Sequence, residues 1–283
     1  MANVGIITDT VACVPAEKIK EYGIRIVPFA LNIDGKTYLD QLDITPDEFW
    51  KMFKSIKELT TGAPALGEFT KVFKDLSKST NDIVCTFVSK RLSAMYEAAT
   101  EARELVKKEN PRLNIEVVDS NSAAGAEGFI VLEMARAAQA GKSLAEVVKV
   151  AQDMVPRVKF LIGMETLKYL IKGGRAPKTA YAGELFGVKP IVGMVNNTGV
   201  VDNIGRARGK QNCMLRLVEL IKDYSDTSRP MHVNVHYTDN IEDGKRLSEL
   251  IRSRYSCTEV YLTPFTPVMC AHTGPVFAVS FYT

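Results

Sequence analysis

"IVCTFVSKRLSAMYEAATEARELVK", residues 83–107, joins two periodicities in one piece. Ile83–Val88 is an unbroken apolar run with β-branched residues, the pattern of a strand covered on both faces. From Leu92 to Lys107 the apolar positions recur at helical spacing. A second strand pattern follows at Ile115–Asp119, then a long helix, expected to be amphipathic, at Ala123–Ala140. Upstream, Val4–Thr8 and Ile24–Ile33 are further strand-like runs. Thr45, Pro46 and Glu48 open a helix with capping-box spacing, and "GEFTKVFKDL" (67–76) continues in helical register. Such alternation argues for a three-layer α/β/α domain with a mostly parallel sheet.

Beyond a second capping box, Ser143 with Glu146, the pattern changes near Val158. Strand patterns at Val158–Met164, Pro190–Asn196, Met231–Tyr237, Glu259–Pro264 and Phe277–Tyr282 alternate with helices at Gly209–Tyr224 and Ile241–Tyr255. This reads as a second α/β domain with a mixed sheet. The expected division is 1–157 and 158–283. No Pro/Ser-rich linker marks it, so the two parts are expected to pack closely.

Composition narrows the function. A net charge of +3 over 283 residues is too weak a balance to argue for nucleic acid. No apolar stretch reaches the roughly 18–20 residues of a membrane helix, and the N-terminus lacks the pattern of a signal peptide. Five widely spaced cysteines then read as reduced thiols of a cytosolic protein. No C-x-x-C pair, His-rich cluster or Gly-rich phosphate loop points to a metal or nucleotide cofactor.

Four polar loops adjoin apolar strands, where sites in α/β proteins gather. In "ITDTVACVP" (7–15), Asp9 is either a nucleophile or a turn-holding carboxylate; the second Asp of aspartyl phosphatases is absent. In "LTTGAP" (59–64), Thr60 and Thr61 either bind an anion or cap the helix that follows. Ser89 and Ser93 in "VSKRLSAMYEAA" pose the same choice, with no nucleophile elbow around them. "LKYLIKGGRAPKTA" (167–180) sets Arg175 behind a glycine pair, with Lys172 and Lys178 near, and "GRARGK" (205–210) is a second basic cluster. His272, one of three histidines, sits on an expected turn with Cys270 two residues before it. Read singly, each loop has a plain structural explanation.

Their order carries more. "ITDT", "VPFALNIDGKTYLD", "TTGAP", "SKRLSAMYEAA", "VVDSNSAAGAEG", "LKYLIKGGRAP", "GELFGVKPIV" and "AHTGP" resemble the DegV family in sequence and spacing along essentially the whole chain. The resemblance implies a bacterial, non-enzymatic lipid-binding protein. A long-chain fatty acid would lie in an apolar tunnel with its carboxylate held where two domains meet. Some members, the FakB proteins, present that fatty acid to a separate fatty acid kinase. Carried onto this sequence, the carboxylate ligands would be Thr61, Ser93, Arg175 and His272, supported by Thr60, Gly62, Ala94, Met95 and Gly274. No cofactor besides the lipid is implied. The basic Arg206 and Arg208 are candidate contacts for an acidic kinase partner. Three departures stand out: Leu92-Ser93-Ala94-Met95 where the family has L-S-G-T, Gly62 where it has Ser, and Val276 where it has a last Gly. The alternatives are a hydrolase or acyltransferase using Asp9 or Cys270, and a lipid sensor that passes nothing on.

Overall fold

The structure, a computed structural model, describes residues 4–176 and 187–283. Lys178 and the first residues of "GELFGVKPIV" lie outside the described residues. In the first part of the chain come β1 (Val4–Asp9), α1 (Ala16–Tyr22), β2 (Arg25–Val27), β3 (Ala30–Ile33), β4 (Lys36–Leu39), α2 (Pro46–Met52) and β5 (Leu59–Gly62). There follow α3 (Leu66–Leu76), β6 (Asp82–Phe87), α4 (Met95–Glu109), β7 (Asn114–Asp119), α5 (Ala124–Gln139) and α6 (Leu144–Met154). The rest supplies β8 (Lys159–Met164), α7 (Lys168–Lys172), β9 (Val188–Met194), β10 (Asp202–Arg208), α8 (Lys210–Tyr224) and β11 (Met231–Tyr237). It ends with α9 (Ile241–Arg254), β12 (Cys257–Pro264), α10 (Pro267–Thr273) and β13 (Val276–Tyr282).

The first sheet runs β2-β1-β6-β7, and every pairing in it is parallel. Helices α3 and α4 cover one face and α5 and α6 the other, as expected of three layers. The second sheet runs β10-β9-β8-β13-β11-β12; it is antiparallel except for the β11–β12 pair. Both capping boxes form, at Thr45–Glu48 and Ser143–Glu146. No helix of the described residues is long and apolar enough to cross a membrane.

Three expectations need correction. The run Ile24–Ile33 is not one strand. Pro28 breaks it, because proline has no N–H to give a ladder. Its first half joins β1, and its second half joins a three-stranded antiparallel sheet, β4-β3-β5, that the sequence did not announce. Second, α5 is not amphipathic. It is buried almost all round, because it packs on β1 and β6 on one side and on β8, β11 and β13 on the other. Third, the strand patterns of the second half omit β10, the edge strand of the second sheet, to which most of "GRARGK" belongs.

Candidate functional site

In the parallel sheet the chain leaves β1 for β2 on one side and reaches β6 on the other. The crevice between the carboxyl ends of β1 and β6 is therefore the switch point at which α/β sheets place ligands. Asp9, the last residue of β1, spans that gap. Its Oδ1 accepts the Val11 N–H at 2.7 Å and its Oδ2 accepts the Val88 N–H at 3.0 Å. This is the turn-holding role, and it ties both carboxylate oxygens to the backbone.

Just beyond lies a cavity of about 70 Å³. That volume has room for a few water-sized spheres, and most of the residues around it are apolar. Val11 and Val88 form its end at the first sheet, Phe160, Ile162 and Met194 its wall at the second. Of the five polar residues that line it, Thr273 spends its hydroxyl on the Met269 and Gly274 carbonyls, which leaves four, Thr61, Ser93, Arg175 and His272; among the described residues no carboxylate lines it. These four come from four separate segments of the chain, so the fold brings together the residues that the sequence singled out.

Thr61 is neither in a loop nor a cap. It lies in β5 opposite Leu31 of β3, and α3 has Ala65 at its N-cap, with no side-chain cap. His272 is not on a turn but in the last turn of α10. Thr61 Oγ1 and His272 Nε2 share a hydrogen bond of 2.7 Å, while His272 Nδ1 is buried without a partner. Burial, with the Arg175 charge adding to it, lowers the His272 pKa to about 4, so the ring is neutral near pH 7. Among the described residues that line the cavity, the one standing cation is Arg175. Its guanidinium donates to the Leu92 and Gly173 carbonyls and has no acidic partner among the described residues. Burial pulls its pKa down from the ordinary value, yet a guanidinium starts so high that it stays charged. A half-buried cation, two hydroxyls and a neutral imidazole on an apolar cavity make a site for one anionic group with an oily extension.

The supporting residues divide. Met95 is fully buried in the core, while Gly62 and Ala94 are exposed; none of the three lines the cavity. Gly274 acts indirectly: at φ +61 a Cβ there would lie 2.3 Å from the Tyr169 ring. Thr60 lines an outer cleft of about 460 Å³ that shares Thr61 and His272 with the cavity. Lys54, Lys57, Lys168 and Lys172 wall that cleft, so the Thr61–His272 pair is a septum between an oily interior and a basic exterior. Arg206 and Arg208 alternate outward on β10, both exposed.

One determinant escaped the sequence reading. A glycine pair at a helix end suits a left-handed cap. Only Gly174 is left-handed, at φ +74. Gly173 has a different reason: a Cβ there would stand 2.3 Å from His272 Nδ1. No local pattern announces a glycine kept free for a histidine 99 positions away.

The chemistry required by an enzyme finds little purchase. Cys270 is fully buried in α10, and desolvation raises its thiol pKa well above the usual value, which opposes thiolate formation. In a helix, residues two apart face different ways, so Cys270 and His272 are not a pair on one face. Among the described residues no three metal-ligating side chains converge.

Comparison with known proteins agrees with this architecture. The family model described as "Uncharacterised protein, DegV family" matches residues 3–283. A DegV domain-containing protein of Caldanaerobacter subterraneus subsp. tengcongensis is 31% identical over 283 residues, covering 100% of this chain and 99% of that one. One from Streptococcus pyogenes is 29% identical over 274 residues, covering 95% and 94%. Among solved structures, a DegV family protein of Thermus thermophilus described for fatty acid binding superposes with a TM-score of 0.90 at 23% identity, covering 99% of each chain. A stearic acid-binding protein of Eubacterium ventriosum gives 0.89 at 23%, covering 100% of this chain and 98% of its own. The chain belongs to the DegV family.

Proposed function

We propose that this protein binds a long-chain fatty acid, with the carboxylate at Thr61, Ser93, Arg175 and His272 and the tail in the cavity between the two sheets. The halves 1–157 and 158–283 are then the two sides of the site. The observation that carries the reading is Arg175, a charged group with no acidic partner among the described residues, beside hydroxyls on a cavity lined mostly by apolar side chains. The solved relatives described as binding fatty acids support it. The tail supplies most of the affinity. At about 0.8 kcal/mol per buried CH₂, roughly fourteen methylenes give on the order of 11 kcal/mol before ordering costs.

The neutral imidazole has a specific task in this reading. In the tautomer protonated at Nε2, His272 donates to the Thr61 oxygen. The Thr61 proton is then free to point at a carboxylate, and Nδ1 is left as a bare acceptor rather than an unsatisfied donor. The histidine orients a hydroxyl instead of supplying charge. The lysines of the outer cleft concentrate anions at the septum. Presentation to a fatty acid kinase in the cytosol is the onward step of the same proposal, with Arg206 and Arg208 on β10 as the docking charges.

The test is direct: denature the purified protein and identify what is released by mass spectrometry. Long-chain fatty acid near one per chain is expected. The double variant Thr61→Ala, Ser93→Ala should remain folded and lose affinity by roughly 30- to 150-fold, at about 1–1.5 kcal/mol per hydrogen bond. A protein that releases no fatty acid and takes none up refutes the reading.

A further inference from the structure

Thr10 and Val11 are neighbours in sequence but line different cavities. Val11 belongs to the smaller one already described; Thr10 belongs to a second, larger cavity of about 290 Å³. Pro28 and Phe29 divide between the two cavities in the same way. Ile19 of α1, Ile26 of β2 and Leu42 wall the second cavity, and Leu42 is 71% exposed at its rim. Nothing so far gives this cavity a task.

Its polar wall is unusual. Asp9 and Asp40 are both buried there, and each sits within the field of the other. Asp40 Oδ1 accepts the Val268 N–H at 3.3 Å. Asp40 Oδ2 is buried with no hydrogen-bond partner, and so is the Thr266 hydroxyl in the same wall. The Thr10 and Thr266 hydroxyls flank the Asp40 carboxyl without satisfying Oδ2. Among the described residues no Lys, Arg or His lines the cavity. Buried carboxylates are ordinarily matched by a cation or a full set of donors. This pair has the acceptors and lacks the cation. A metal ion is a poor match, since no three metal-ligating side chains converge among the described residues. An organic cation with an aliphatic stem matches both the oily rim and the acidic wall.

We propose that this second cavity binds a primary alkylammonium, its stem against Ile19, Ile26 and Leu42 and its three N–H donors on Asp40 Oδ2, the Thr266 hydroxyl and Asp9. The site is independent of the fatty-acid reading and uses none of its ligands.

The experiment titrates the purified full-length protein with n-butylammonium chloride at constant ionic strength and follows backbone amides by NMR. The reporter is Val268, whose N–H is bonded to Asp40. A saturable shift at Val268 is expected. n-Butanol, with the same stem and no charge, should leave Val268 unmoved; tetramethylammonium, charged but without N–H, should bind about tenfold more weakly. Asp40→Asn should abolish the shift. Because that change disturbs a buried anchor, the isosteric Thr266→Val carries the test wherever Asp40→Asn does not fold, and it should weaken binding several-fold. Val268 unmoved at tens of millimolar butylammonium, butanol acting as well as the amine, or Thr266→Val binding like wild type would each overturn the proposal.

Discussion

Gly173→Ala isolates the packing around the proposed head-group site. The added Cβ would lie 2.3 Å from His272 Nδ1 and 3.1 Å from Cε1, with the Tyr169 carbonyl at 3.3 Å behind it. The imidazole must retreat by about 1 Å to regain ordinary contact. The Thr61–His272 bond, 2.7 Å long, does not survive that movement. Overpacking of this kind costs about 1–3 kcal/mol of stability, and the lost bond about 1 kcal/mol more. If His272 orients Thr61 toward the carboxylate, affinity for a long-chain fatty acid falls about tenfold along with it. The control is one residue away. A Cβ on Gly174 meets nothing within 4 Å, but its φ of +74 strains any other residue. Gly174→Ala should therefore lose about 1–2 kcal/mol of stability and none of the affinity. Displacement of a fluorescent fatty acid measures affinity, and thermal unfolding measures stability. Equal effects of the two variants on affinity, or wild-type affinity in Gly173→Ala, would refute the role given to His272.

Other expectations come from the same site. The folded pKa of His272, about 4, lies below the unfolded value of 6.5. Unfolding therefore takes up a proton in acid, and stability present above about pH 6.5 is lost as pH falls toward 4. At 1.36 kcal/mol per unit this reaches about 3 kcal/mol, and denaturant titrations of wild type and His272→Asn across that window should converge at the acid end. Charge-neutral variants of Arg206 and Arg208 should slow transfer of the lipid to a kinase while leaving lipid affinity unchanged; transfer unaltered at moderate salt argues against docking on β10. Cys270 should resist thiol reagents in the folded protein, and Cys270→Ala should keep full lipid binding. Rapid labelling that fatty acid blocks, coupled to loss of a turnover, would revive the enzymatic alternative.

How far the sequence could be read follows from what each signal depends on. The strand-to-helix switch at residues 83–107 is local, and it came through as β6 and α4 with a boundary shift at Met95. The capping boxes are local too. β10 did not come through, because an edge strand buries little; "DNIGRAR" has exposed arginines at alternate places and no apolar face to announce it. The small sheet was hidden for a similar reason, since three- and four-residue strands carry almost no periodicity. The site is the opposite case. Thr61, Ser93, Arg175 and His272 each looked like a cap, a turn or a surface charge. Only their order along the chain, through the family resemblance, joined them before the coordinates did. Residues named for support fared less well, since Met95 belongs to the core and the real support, Gly173, answers to a contact across the fold.

The stretch "AAGAEG" in "VVDSNSAAGAEG" shows what such a resemblance encodes when it is not chemistry. These residues open α5, the helix held between both sheets. A Cβ at Gly128 would lie 2.3 Å from the Ala12 carbonyl, on the side of the first sheet. One at Gly125 would lie 2.8 Å from both Asn234 Nδ2 and His236 Nε2, on the side of the second. Glu127 is buried between them and accepts from Thr8 at 3.0 Å, while the Gly125 N–H donates to His236 at 3.2 Å. Two glycines three apart thus let one helix approach two sheets at backbone distance. That close approach explains why no linker separates the halves. It also sets the cavity beside the start of α5, where α10 meets β5 and α7, so the site draws on both halves of the chain.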